Sequence, residues 1–354
     1  MTRCFFTMFL FKRSRIPQIL VVLHVSANRP SYERICVGKI FDFPAHRSAN
    51  AVRAGHARLN SNAERLLNLP AFPNAVVLLA RNFIAAHEAS PRTAALFATQ
   101  QRWLLCHAAL AFHFQAVQDG RMGVTRRGFG NLALQQGIAS RNTAYAFFDE
   151  ALKYDIIRPV SGDGSVEPVV PAPLTMSLLA HWYSVHFKAL DLLCGGDRTG
   201  RFLAEPESML TILEPLAARE LLSSPEIRSP GPLYTIFTWA DAGGLLMDRL
   251  VAGIDLEALT TQPRLLTDVN TISSLAHSFG LSRAHTSRKF SAAESIGGLG
   301  WSGRRGHSHI WVSRGFYEEY ARAHARKLLI LDDAFEEAVT ALSQAKKSAV
   351  ANDA

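Results

Sequence analysis

Two short runs of hydrogen-bonding residues carry the chemistry that this sequence offers. The first is Ser140, Arg141, Asn142, Thr143 and Tyr145, and the second is Ser282, Arg283, His285, Thr286, Arg288 and Lys289. In each run a serine stands directly before an arginine at the head of a helical pattern. There its hydroxyl can cap free N–H groups, and the helix dipole favours an anion. Arginine offers paired donors that match guanine O6 and N7, and asparagine matches adenine N6 and N7. Each good pair discriminates by about 1 to 3 kcal/mol. The chemistry these residues suit is recognition of base edges and phosphates on double-stranded DNA. Arg126 and Arg127 ahead of the first run, and Arg304, Arg305 and His307 beyond the second, add donors placed for phosphate contact.

Other constellations are weaker. His307 and His309 would share one side of a strand, but no third ligand lies close in sequence, so they are read as hairpin polarity rather than a metal site. His181 and His186, five apart on a helix, do not share a face. Residues 195–201, GGDRTGR, lack the Lys-Ser/Thr ending of a phosphate loop and read as a helix stop and linker. No nucleophile–base pair, metal set or cofactor loop emerges, so neither an enzyme nor a cofactor is expected. Trp103, His107 and Phe114, with Trp182, Tyr183 and His186, read first as core packing; the alternative is a ligand cavity.

The elements that must position the two runs can be read around them. From Thr125 a short helix places Phe129, Leu132 and Ala133 on one side and ends at Gly137. After a tight turn, Ser140 caps a second helix that buries Ala144, Phe147, Phe148, Ala151 and Leu152. Ile156 and Ile157 then open a hairpin that turns at residues 162–165 and returns over 166–170. Residues 268–313 repeat this plan. Leu132, Ala133, Gly137 and Ile138 align with Leu275, Ala276, Gly280 and Leu281. Past a turn one residue shorter, Ser140, Arg141, Phe148, Ala151 and Ile157 align with Ser282, Arg283, Phe290, Ala293 and Leu299.

Both stretches resemble the helix-turn-helix and wing of bacterial MarR-type winged-helix regulators, over about 40 residues each, and the duplication resembles a fused pseudodimer of that family. The resemblance implies two winged helix-turn-helix modules with small β-hairpin wings, and long flanking helices that form a pseudo-two-fold dimerisation core. It also implies DNA as partner and leaves room for an aromatic effector. The chain departs from the family in being fused and asymmetric.

Composition agrees with a folded protein: 354 residues with 48% hydrophobic content. The net charge of +8 resides in the first 65 residues, which hold eleven Lys/Arg against three Asp/Glu; the rest balances. Global charge therefore says little about nucleic acid, whereas local charge says more. Residues 121–158 carry six Lys/Arg against three acids, and residues 282–326 eight against three. Four scattered cysteines with no C-x-x-C pattern fit a reduced, cytoplasmic setting. The apolar runs within residues 1–25 are each too short to span a bilayer, and residues 1–65 read as a basic, unstructured arm or over-extended start.

Helical periodicity is expected over 74–87, 90–118, 174–193, 206–223, 233–253 and 314–347, giving a mainly α protein. The natural division is a basic tail at 1–65, a first repeat at 66–200 and a second at 201–354. The expected function is sequence-specific transcriptional regulation, as a repressor. The alternatives are a plasmid-type replication initiator with tandem winged helices, or a winged-helix scaffold that binds protein and not DNA.

Overall fold

The structure, a computed structural model, describes residues 59–160, 168–239 and 243–352. It is mainly helical with small antiparallel sheets. The first half runs α1 (Leu59–Leu67), α2 (Phe72–Ala89), α3 (Pro91–Leu96), α4 (Gln100–Gln118), α5 (Arg126–Gln135), α6 (Arg141–Lys153), β1 (Ile157–Pro159), β2 (Val169–Pro171) and α7 (Pro173–Cys194). After α8 (Arg198–Ala204) come α9 (Pro206–Ser223), α10 (Pro225–Arg228), α11 (Pro232–Thr238), α12 (Gly243–Ala252) and a 3-10 turn at Leu256–Leu259. The chain continues through β3 (Arg264–Leu266), α13 (Ile272–Ser278), α14 (Arg283–Ser295), β4 (Leu299–Trp301), β5 (Ile310–Ser313) and α15 (Arg314–Asn352).

Local chemistry sets the helix starts. Thr125 Oγ1 accepts from the Gly128 N–H at the head of α5, and Ser140 Oγ from the Thr143 N–H at the head of α6. Thr271 and Ser282 cap α13 and α14 in the same way. The turns between the paired helices pass through Gly137 at φ 60° and Gly280 at φ 63°, a left-handed conformation that costs other residues about 1 kcal/mol or more.

The strands pair alike in the two halves. β1 is antiparallel to β2, with Arg158 opposite Val170, and Val124 just ahead of α5 bridges to Val169. In the second half β3, just ahead of α13, pairs with β5, and β4 pairs with the other edge of β5. The order helix, turn, helix, hairpin, long helix therefore occurs twice, preceded by a bridge residue in the first half and by a short strand in the second.

Packing ties the halves together reciprocally. α4 of the first half lies along α9 of the second, while α12 of the second lies along α2 of the first; α7 meets α15. A continuous core runs from Phe72, Ala75 and Val76 on α2 through Leu246 and Leu250 on α12 to Phe316 and Phe335 on α15. A smaller core beneath α5 and α6 joins Leu105, Phe129, Ala133, Phe147 and Phe148 to Leu222 of α9. Each such fully buried large side chain contributes about 1.5 to 3 kcal/mol. One contact explains the register of α4 on α9. Pro215 inside α9 has no N–H for the Thr211 carbonyl four residues earlier, and Gln118 Nε2 of α4 donates to that carbonyl at 2.6 Å. A cut within residues 195–231 thus separates the repeats but not their cores.

Several expected boundaries move. Residues 90–118 form two helices, because Thr99 caps α4 by accepting from the Arg102 N–H at 3.1 Å. Residues 233–253 also form two, α11 stopping at Thr238 and α12 starting at Gly243. A β-carbon at Gly243 would fall 1.7 Å from the Phe237 carbonyl oxygen. The chain is helical already from Leu59, where Ala63 and Leu66 are buried and Arg322 of α15 pairs with Glu64 at 3.0 Å. The rest of the basic arm, residues 1–58, and the first hairpin tip at 161–167 lie outside the described residues. Among the described residues no single helix is long and apolar enough to cross a membrane.

Candidate nucleic-acid interface

In the first half, Ser140, Arg141, Asn142 and Thr143 form the exposed first turn of α6, with Ala144, Phe147 and Phe148 buried beneath. Arg141 Nε donates to Asn131 Oδ1 of α5 at 3.2 Å. Arg127 is exposed, and Arg126 donates to both oxygens of Asp149 at 2.9 and 2.8 Å. Arg126, Arg127, Asn131, Arg141 and Tyr145 together line a shallow polar notch. Tyr145 itself is half-buried: its ring lies against Gly130, where a β-carbon would clash, and Arg126 stacks over it at 4.1 Å. It joins α6 to α5, which corrects its expected place on the outer face.

In the second half only part of the expected run faces outward. Ser282, Arg283 and Arg288 are exposed, and Arg288 lies 3.3 Å from His285 Nδ1. Thr286 is fully buried and donates its hydroxyl to the Ser282 carbonyl at 3.1 Å. Lys289 is buried as well. Its amine donates to the carbonyls of Ile236 and Phe237 at 3.0 and 3.1 Å, satisfying the free end of α11. Thr286 and Lys289 therefore hold α14 in place and do not offer donors to a duplex.

The hairpin after α14 also divides its cations. Arg304 and His307 are exposed at the tip. Arg305 folds back, donating to Ser291 Oγ at 2.9 Å, pairing with Glu294 at 3.4 Å and stacking over Trp301 at 4.7 Å. It fixes the hairpin to α14 instead of extending from it. Among the described residues no group of three or more His, Cys, Asp or Glu is arranged to hold a metal, and His309 Nδ1 lies 3.1 Å from the Thr267 carbonyl.

Between the halves lies a cavity of about 300 Å³, and the alternative reading of the aromatic residues as cavity walls holds for part of them. Phe83, Phe97, Trp103 and Trp182 of the first half form much of its wall, and Tyr234, Asp248, Tyr320, His324 and Lys327 of the second half complete it. Of the aromatic residues singled out from the sequence, Trp103, His107 and Trp182 reach this cavity. Tyr183 and His186 belong to the packed core beside it, where Tyr183 and His107 both hydrogen-bond the fully buried Glu214, at 2.6 and 2.8 Å. Phe114 is core as well. His324 and Lys327 went unnoticed in sequence because they fall within the long α15 beside Arg322 and Arg326, and spacing alone does not tell which polar residues of a helix turn inward.

Burial sets the charge states here. It raises the Asp248 carboxyl to about 7, against the opposing effects of the Tyr320 hydroxyl, which donates at 2.6 Å, and of Lys327. Burial also lowers the Lys327 amine to about 8, with Asp248 pulling the other way, and holds His324 well below the usual histidine range.

Comparisons with protein-family models, with curated proteins and with solved structures return no match for this chain.

Proposed function

We propose that the protein is a sequence-specific DNA-binding transcriptional regulator, working as a repressor, whose halves are two non-identical winged helix-turn-helix modules on one chain. One observation carries this reading. In each half a 13-residue helix, capped by serine and opening on arginine, exposes that serine and arginine to solvent while its other side packs on a companion helix beside a hairpin. Arg141, Asn142 and Thr143 are the first module's base-edge readers, and Arg283 and Arg288 are the second's. Arg127 and Arg304 supply phosphate contacts.

The cavity supports an effector that couples to binding. Tyr234 and Thr238 of α11 line it, and α11 is also the helix whose last carbonyls hold Lys289 of α14. A ligand that shifts α11 would shift the reading helix with it, so occupancy would change affinity for DNA.

The test is selection of bound duplexes from a random pool with the full chain. Enrichment of a site with two unlike halves, bound with affinity that falls steeply as salt rises, is the expected result. An inverted arrangement of halves fits the reciprocal packing of the core, whereas direct repeats would favour a replication initiator. No enrichment, or binding indifferent to salt, would overturn the DNA-binding reading.

A further inference from the structure

The amine of Lys327 on α15 faces an aromatic ring. It lines the cavity between the halves and sits 5.1 Å from the centroid of the Trp103 ring. Among the described residues it makes no hydrogen bond and no ion pair, whereas the more deeply buried Lys289 finds two carbonyl partners. Phe83, Trp182 and His324 line the same cavity, the last 2% exposed, with Nδ1 lacking a hydrogen-bond partner among the described residues. Asp248 lines the same space and is engaged by Tyr320 through one oxygen. An amine without a polar partner, in an aromatic cavity that also holds a carboxyl group, is the set of groups that forms and holds an imine.

We propose that this cavity is a carbonyl-trapping site, in which Lys327 condenses reversibly with a small aryl aldehyde whose ring lies among Phe83, Trp103 and Trp182. The Nζ lone pair adds to the carbonyl carbon, and the carbonyl π pair moves to oxygen. Proton transfer from nitrogen to oxygen then gives the carbinolamine. Asp248 in its acid form protonates the departing hydroxyl as the C–O bond breaks and the C=N bond forms, so that one water leaves. The iminium proton returns to the carboxylate. The overall change is amine plus aldehyde to imine plus water, with no oxidant or reductant. Burial supports both roles. It keeps Lys327 near 8, so a useful share is free base at neutral pH, and Asp248 near 7, so a useful share can donate. A cavity of about 300 Å³ suits a single-ring ligand. As the effector of a regulator this ligand rests on the function proposed above; as chemistry it stands without it.

The experiment uses benzaldehyde with the full chain at neutral pH, trapping with cyanoborohydride, and maps the benzylated residues by mass spectrometry. Lys327 should be modified at least about tenfold faster than Lys153, Lys188, Lys289, Lys346 or Lys347, the net of more free base and a weaker nucleophile. Lys327→Arg should remove that adduct while leaving the melting curve intact, and Asp248→Asn should slow its formation with Lys327 still present. Benzylation spread evenly over the surface lysines, or equal labelling of the wild type and of Lys327→Arg, would overturn the proposal. If Lys327 is labelled selectively but no DNA site is ever enriched, the carbonyl site stands and the regulator reading fails. If DNA is bound but Lys327 is not labelled selectively, the reverse holds.

Discussion

Arg288 and Lys289 are neighbours in sequence with opposite duties. Arg288 is exposed, whereas Lys289 is 7% exposed and closes the end of α11. Lys289→Met should lower unfolding free energy by about 1 to 3 kcal/mol, because two helix-end carbonyls lose a charged donor. Arg288→Ala should leave stability unchanged and weaken binding to a selected duplex by a similar amount. Denaturant unfolding and binding titrations of both variants separate the roles, and a swap of the two effects would contradict the placement. Asp248 gives a pH signature. Its folded-state value is raised to about 7 from an ordinary 3.8, so the native state binds the extra proton and the stabilisation is lost as pH rises from about 4 through 7. Asp248→Asn should remove that loss. Unfolding curves taken across this interval would show a flatter dependence in the variant, and an unchanged dependence would place the titration elsewhere. The sequence made the serine caps and the arginines that follow them legible, because an N-cap is a local pattern. It did not distinguish the buried Thr286 and Lys289 from the exposed Arg283 and Arg288. Which face of a polar helix is covered depends on α11, a remote element.

At the scale of elements, the turn glycines were equally legible, since a helix that stops and restarts within a few residues needs a left-handed link. Gly280 has open space where a β-carbon would sit, so Gly280→Ala isolates the backbone cost. It should reduce stability by about 1 kcal/mol in denaturant unfolding, and a neutral result would contradict the left-handed turn. The hairpin after α14 offers a second contrast. Arg304→Ala should reduce the salt slope of DNA binding by about one, whereas Arg305→Ala should leave the slope nearly unchanged, since Arg305 is already spent on Ser291, Glu294 and Trp301. Equal slopes for the two variants would mean that Arg305 leaves its partners on binding. The break between α11 and α12 escaped sequence reading because Leu233, Phe237, Leu246 and Leu250 are all apolar and buried. Periodicity continues across a break when both sides pack inward.

For the whole molecule, the reciprocal packing of α4 on α9 and of α2 on α12 has a consequence that no helical pattern discloses, because amphipathicity says which face is buried and not against what. The halves share one core, so the full chain should unfold in a single cooperative transition, and residues 201–354 alone should not, having lost the α2 surface that covers α12. A separately cooperative second half in thermal unfolding would show the core to be divisible. The shared core also fixes α6 and α14 relative to each other, which under the proposed function would let one chain treat two half-sites as one site. The most direct measurement is a base-resolved footprint of the full chain on its selected duplex, repeated with Arg141→Ala and with Arg283→Ala. Protection of two adjacent half-sites is expected, with each variant losing protection over a different one. Protection of a single half-site, or loss over the same bases in both variants, would contradict it.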